Sequence, residues 1–156
     1  MKTVFFVMGV LLLTMLQTST VLASEIKEYR AEAAQYYGEN NYKKAYRIYF
    51  KLAKVGDHYS QNKLSQMYVD GKGKDADLTE AYAWSVLAAE SGVEGIIKKS
   101  NTLLQQTNDQ AKAKKRADKL KHKYGKDALQ AKADRKERMK YNHKSGGCTG
   151  SKLGCS

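Results

Sequence analysis

The stretch Ser60–Gly92, SQNKLSQMYVDGKGKDADLTEAYAWSVLAAESG, has the pattern of two helices joined by a glycine-containing loop. Leu64 and Tyr68 are four residues apart, so they share one face of the first helix. Gly71 and Gly73 follow and end that helix, because glycine readily adopts the positive φ that a helix C-terminus and a tight loop often require. The stretch therefore predicts a helical hairpin.

The second helix of the hairpin is predicted to begin beside Asp77 or Thr79, either of which can cap its N-terminus. Ala81, Trp84 and Ala88 recur at helical spacing and form its inward stripe. The small alanines allow a neighbouring helix to approach closely, while the indole fills the larger gap. An amphipathic hairpin of any family has such stripes, so the fixed intervals between the residues carry more information than the stripes do.

Those intervals, Leu-x3-Tyr-x2-Gly-x-Gly-x3-Asp-x3-Ala-x2-Trp-x3-Ala-Ala-x2-Gly, resemble the Sel-1-like repeat, a relative of the tetratricopeptide repeat. Two positions depart from the family pattern: Ser60 stands where alanine is usual, and Ser65 where glycine is usual. The resemblance implies a helix-turn-helix solenoid that acts as a protein-interaction scaffold, usually without catalysis. The ten matching positions are Leu64, Tyr68, Gly71, Gly73, Asp77, Ala81, Trp84, Ala88, Ala89 and Gly92.

A related helix pair precedes this one, with a tighter turn at Glu39–Asn41 and no double-glycine loop. Recurrence at a fixed period of this size predicts stacked helical repeats. A shift of 36 residues pairs Ala45 with Ala81, Tyr46 with Tyr82, Ile48 with Trp84, Ala53 with Ala89 and Gly56 with Gly92. The faces predicted for its two helices are Ala31, Ala34 and Tyr37, then Tyr42, Ala45, Tyr49 and Leu52.

Residues 93–125 are predicted to form a third, degenerate pair. Thr107 and Gln110 have capping-box spacing and mark the start of its second helix. The fold prediction is therefore all-α: a short α-solenoid of helix-turn-helix repeats over 24–125, then a basic helical extension and a tail over 126–156. The apolar positions of the third pair are Ile96, Ile97, Leu103 and Leu104, then Ala113, Ala117, Leu120 and Tyr124.

Positive charge is concentrated in the C-terminal part of the chain. The net charge is +12, and from Glu94 onward 17 Lys and Arg face 6 Asp and Glu. Such a surface attracts polyanions, for example lipopolysaccharide, anionic lipid or acidic polysaccharide. The alternative is a solvated basic face without a ligand. Nucleic acid is an unlikely partner for an exported protein. The predicted basic face consists of Lys112, Arg116, Lys119, Lys123 and Lys126.

The segment Met1–Ala23 has the features of a secretory signal peptide. Lys2 precedes an apolar run, Val4–Leu16, which is shorter than the roughly 20 residues that span a bilayer. Val21–Ala23 is an acceptable cleavage site. We therefore expect an exported protein, periplasmic or secreted, in a Gram-negative bacterium, with no transmembrane segment after cleavage. An uncleaved membrane anchor is the alternative.

The two cysteines of the chain, Cys148 and Cys155, lie in a glycine-rich tail. In an exported protein two close cysteines predict a disulfide, here closing a small ring. Two alternatives are redox-active thiols, although the spacing is not Cys-x-x-Cys, and a metal site that includes His122 and His143. A zinc site needs four ligands in a fixed tetrahedron, which an irregular segment does not readily supply.

Catalysis has no support in the sequence, because none of the histidines has a patterned nucleophile or carboxylate beside it. We expect no enzyme activity, cofactor or metal. The first functional hypothesis is a protein-interaction adaptor that binds a protein or peptide through Tyr36, Gln61 and Gln66 on the first helices. Abundant tyrosine is compatible with an interface, although helix packing with hydroxyls that reach solvent is the favoured explanation. The second hypothesis is a polyanion-binding or envelope-binding protein that uses the basic helix.

Overall fold

A computed structural model describes residues 24–145 of the chain, with side chains up to residue 140. Within this range the chain is all-helical, as the sequence predicts, and contains no strand. The predicted signal peptide and the cysteine pair, Cys148 and Cys155, lie outside the described residues. The helices are α1 (24–38), α2 (Tyr42–Ala53), α3 (His58–Asp70), α4 (Leu78–Ala89), α5 (Glu94–Gln106), α6 (Gln110–Tyr124) and α7 (Lys126–Ser145).

The helix boundaries follow the 36-residue period of the sequence. Helix α4 starts and ends 36 residues after α2, and α5 starts and ends 36 residues after α3. The connecting glycines match as well, since Gly56 and Gly92 both have positive φ, 90° and 77°. The turn between α1 and α2 is shorter than the loop between α3 and α4, as predicted. Within 24–145, α2 and α3 thus match α4 and α5 in helix length and in the turn that connects them.

Helix α4 is the central helix of the described chain, because it packs against α3, α5 and α6. Its predicted stripe of Ala81, Trp84 and Ala88 is fully buried. Ala83 and Leu87, which lie outside that stripe, are also fully buried. Neighbouring residues therefore cover more of the circumference of α4 than the predicted stripe alone. A helix that is apolar around most of its circumference belongs in a protein core.

A row of aromatic rings connects four helices through the core. Tyr68 meets Tyr46 at 5.8 Å between ring centroids, and Tyr46 stacks on Phe50 at 5.8 Å. Phe50 then contacts Trp84 at 5.7 Å, and Trp84 stacks on Tyr124 at 6.0 Å. The Tyr46 and Tyr68 hydroxyls share a hydrogen bond of 2.7 Å. Burial raises the pKa of both tyrosines, so this bond joins two protonated hydroxyls.

The face predicted for α1 is wrong at its two alanines, whereas Tyr37 packs against the core as predicted. Ala31 and Ala34 are exposed, and Ala33 is fully buried. The reason is that Arg30 reaches Asp57 in the next helix pair, while Tyr37 lies beside Lys72. These contacts rotate α1 so that the face containing Ala33 points inward.

The third helix pair, α5 and α6, buries fewer of its predicted apolar residues than the sequence suggests. In α5 only Leu103 among the predicted apolar positions is buried, and Ile97 is 41% exposed. Helix α5 packs on α4 and makes only slight contact with α6. Because α6 packs on α4 instead, its predicted stripe of Ala113, Ala117 and Leu120 is buried there.

Aspartates supply the N-caps that the structure uses at three helices. Asp77 caps α4 and accepts hydrogen bonds from the backbone N–H of Thr79 at 2.8 Å. The predicted capping box at Thr107 is wrong, because Asp109 caps α6 through the Lys112 N–H at 2.8 Å. A charged carboxylate interacts better with the positive end of a helix than a hydroxyl does. Thr107 instead donates its hydroxyl to the Leu104 carbonyl at the end of α5.

The basic extension does not continue α6. Gly125 has extended backbone, with ψ of 162°, and a new helix begins at Lys126. The side chain of Glu90, at the end of α4, accepts a hydrogen bond of 2.8 Å from the Lys126 N–H. Leu129 in α7 approaches the turn at Gly56. The start of α7 is therefore attached to two earlier turns of the chain.

A partly buried ion pair joins α1 to the start of α3. Asp57 caps α3 by accepting from the Ser60 N–H at 3.0 Å, and it is paired with the Arg30 guanidinium. Burial by itself would raise the pKa of Asp57, but the hydrogen bonds from Arg30 and Ser60 outweigh it and hold the pKa below its ordinary value. The carboxylate is therefore charged at neutral pH.

Replacing Gly73 with alanine is expected to destabilise the fold, because Gly73 has φ of 80° and an added Cβ would lie 2.5 Å from the Tyr42 carbonyl oxygen. Gly92→Ala is the matched control, since Gly92 has φ of 77° and open space around it. The control should cost about 1–2 kcal/mol through φ alone, and Gly73→Ala about 1–3 kcal/mol more through the clash. Equal losses in urea denaturation would contradict the proposed close contact.

Asp57→Asn is expected to flatten the acid dependence of stability. A folded pKa below the unfolded value means that the pair stabilises the fold above about pH 4 and loses this effect as the pH falls further. At neutral pH the variant should be less stable by about 1–3 kcal/mol. Urea denaturation at a series of pH values measures this, with the exposed Asp75→Asn as control. A variant that keeps the wild-type slope in acid would contradict the expectation.

Candidate binding surfaces

Three cations and three tyrosines alternate in space and join α1, α2, α3 and the loop after α3. We name this set the cation–tyrosine ladder. Its members, in spatial order, are Arg30, Tyr59, Lys63, Tyr37, Lys72 and Tyr42. The five successive distances from each cation to the neighbouring ring centroid are 5.3, 5.5, 6.0, 5.1 and 5.2 Å.

The ladder is only partly covered by the rest of the protein. Tyr59 is 43% exposed, and the side chains of Arg30 and Lys72 are 39% and 36% exposed. Cations within about 6 Å of an aromatic ring are attracted to its face. The ladder therefore holds its members in place while it leaves rings and positive charge accessible from solvent.

Arg30 and Lys72 each have an acidic partner, and the two ion pairs differ in how closely their atoms approach and in how far the carboxylate is buried. Arg30 is committed to buried Asp57, whereas Lys72 lies 3.7 Å from the exposed Asp70 carboxylate. Lys63 forms no ion pair with a carboxylate of the described residues. The ladder thus presents one cation without an internal acidic partner, between the rings of Tyr37 and Tyr59.

Of the three residues predicted to line a partner groove, only Gln66 is exposed. Tyr36 is half-buried beneath Lys44, whose amine lies 4.9 Å from the ring centroid. Gln61 is fully buried, so its predicted exposure is wrong. Its side-chain amide donates to the Ala53 carbonyl at 3.1 Å, which satisfies a carbonyl in the last turn of α2.

A groove of about 420 Å³ lies between α3 and α5, on the side of α3 that carries Gln66. Its apolar members include Leu103, which is buried, and Val69, which is 37% exposed. Lys98 and Lys99 of α5 also line it. The groove therefore combines an apolar strip with positive charge.

The predicted basic face of α6 is interrupted by the fold. Arg116 is half-buried and donates to both carboxylate oxygens of Glu80, at 2.6 and 3.1 Å. Lys126 belongs to α7 and not to α6. Lys112, Lys119 and Lys123 remain exposed and form no ion pair with a carboxylate of residues 24–140.

The titratable groups of a second groove lie at the other end of α4. His122 shares a groove of about 470 Å³ with Glu90, Asp118 and Asp127 at the junction of α4, α6 and α7. Yet no group of three or more His, Cys, Asp or Glu residues within the described range is arranged to hold a metal ion. Glu90 is already engaged with the N-terminus of α7.

The sequence did not reveal the cation–tyrosine ladder as a unit. Tyr59 and Lys63 are four residues apart on α3, which gives one local signal. The other contacts cross between helices, since Arg30 and Tyr37 belong to α1 and Lys72 to the loop after α3. The alternation of cations and tyrosines therefore depends on how the helices pack against each other, which the sequence does not show.

None of the helices within the described range is both long and apolar enough to cross a membrane. Comparisons with protein-family models, with curated proteins and with solved structures found no match. The resemblance to Sel-1-like repeats therefore rests on the intervals from Leu64 to Gly92.

Proposed function

We propose that this chain is an exported, non-catalytic interaction protein of the Sel-1-like type that binds a partner protein or peptide through its repeat surface. The observation that carries the proposal is the cation–tyrosine ladder. It places rings and positive charge side by side on the first helices of two successive units. Tyrosine and arginine are enriched where proteins bind one another.

The physical properties of the ladder suit a protein partner. A tyrosine ring supplies a large contact area at a low cost in side-chain entropy, since it has only two rotatable angles. In the ladder the neighbouring cations restrict Tyr37 and Tyr59 further, so less freedom is lost on binding. Lys63 can then interact with an acidic group of the partner.

The short α-solenoid is part of the same proposal. Its support is the shared 36-residue offset of α2 with α4 and of α3 with α5, together with the positive φ of Gly71 and Gly73 in the loop between α3 and α4. We assign the chain to the periplasm or the secreted fraction from the signal-peptide pattern of Met1–Ala23. In that compartment Cys148 and Cys155 form a disulfide that closes the tail.

Tyr59→Ser combined with Lys63→Ser should weaken capture of the partner from a periplasmic extract by at least about tenfold. The control is Tyr29→Ser, which removes a 53% exposed tyrosine of α1 outside the ladder. Thermal denaturation accompanies each pull-down. If every loss of binding is accompanied by a lower melting temperature, the ladder only stabilises the fold and the proposal fails. An equal loss of binding in the control would also contradict the proposal.

A second candidate function, binding of a polyanion such as lipopolysaccharide or anionic lipid, is favoured by one observation. Lys112, Lys119 and Lys123 are exposed on α6 without a described acidic partner. Extended positive charge of this kind binds polyanions with a strong salt dependence.

Lys119→Glu with Lys123→Glu should abolish sedimentation with lipopolysaccharide or with vesicles of anionic phospholipid at low salt. Lys43→Glu with Lys51→Glu makes the same change in net charge on α2 and should retain more binding. Equal binding by both double variants would mean that net charge alone acts. Unchanged binding by the α6 variant would exclude this second function.

A further inference from the structure

Lys99 occupies an unusual position in the groove between α3 and α5. Its amine donates to the side-chain oxygens of Asn62 and Gln66, both at 3.3 Å. Both acceptors are neutral amides. Among residues 24–140 no carboxylate lies within ion-pair distance of this amine. The nearby acid, Asp70, lies 3.7 Å from Lys72.

The surroundings disfavour the charged amine in the isolated chain. Lys99 is half-buried, and burial lowers the pKa of its amine. The charge of Asp70 acts to raise that pKa and the charge of Lys63 acts to lower it, and the net shift is downward. An ammonium group has three N–H donors, and the two amide oxygens use two of them. The third donor has no acceptor among the described residues.

We propose that Lys99 is the receptor for a carboxylate of the bound partner, which lies as an extended acidic segment in the groove between α3 and α5. This inference rests on the proposed function and names the chemistry of its partner. A carboxylate supplies the acceptor for the third donor and the charge that the two amides lack. It is either an Asp or Glu side chain or the C-terminal carboxylate of a peptide, and both present the same oxygens.

The remainder of the groove matches such a segment. Val69 and Leu103 offer an apolar strip beside the amine, so a side chain next to the carboxylate has a surface to pack on. Lys98 adds positive charge along the same groove, and Lys63 contributes from α3. Positive potential in a groove favours acidic segments and disfavours basic ones.

Binding to an array of random dodecapeptides, synthesised with either a free or an amidated C-terminus, tests the inference with the full-length chain. Wild-type protein should select peptides that carry an acidic residue at one fixed position or that need a free C-terminus. Replacing that Glu with Gln, or amidating that terminus, should weaken wild-type binding about tenfold. Lys99→Met should bind both forms of the peptide equally.

Lys114→Met is the matched control, because it removes the same charge from an exposed position on α6. It should keep the wild-type preference for the acidic peptide. Lys99→Met keeps the apolar stem and removes a half-buried charge, so its melting temperature should not fall. If Lys99→Met keeps the preference, or if selected peptides show no carboxylate requirement, the inference is wrong and the interaction function stands. If wild-type protein selects no peptide, the inference is wrong, and the pull-down with the Tyr59 and Lys63 variant decides the interaction function separately.

Discussion

The packing of Trp84 between Phe50 and Tyr124 holds the described chain together. These three rings belong to α4, α2 and α6, so one side chain of the central helix fixes two neighbours that do not adjoin it in sequence. The indole N–H has no hydrogen-bond partner among the described residues. The position is therefore held by ring packing and burial of apolar surface, which contribute several kcal/mol for a residue of this size.

The row of buried rings and the cation–tyrosine ladder show two uses of the same residue type. Tyr46 and Tyr68 lie in the row, and their protonated hydroxyls satisfy each other. Tyr59 is exposed and Tyr37 is half-buried, and basic side chains approach both rings. Tyr37 and Tyr59 have aromatic neighbours as well. The clearest difference between the two groups is exposure, since Tyr46 is 9% exposed and Tyr59 is 43% exposed.

Fixed intervals allowed the sequence to predict much of the fold. The hairpin and the buried Trp84 follow from local spacing, because helical periodicity determines which residues share a face. The sequence left the cap of α4 open between Asp77 and Thr79, and the structure uses Asp77. The exposure of Gln61 and the face of α1 were predicted wrongly, and the ion pair of Arg116 was not foreseen, for one shared reason. Their orientations depend on partners in other helices, such as Ala53 and Glu80, and a periodic pattern contains no information about those partners.

The hydrogen bond from the Lys126 N–H to Glu90 has a mechanical consequence for α7. Glu90 directly follows α4, so the central helix determines where the last helix begins. Helix α7 has 20 residues and is therefore about 30 Å long. Because the first residue of α7 is held beside Gly125, a tilt of about 10° at that point would move the far end of the helix by about 5 Å.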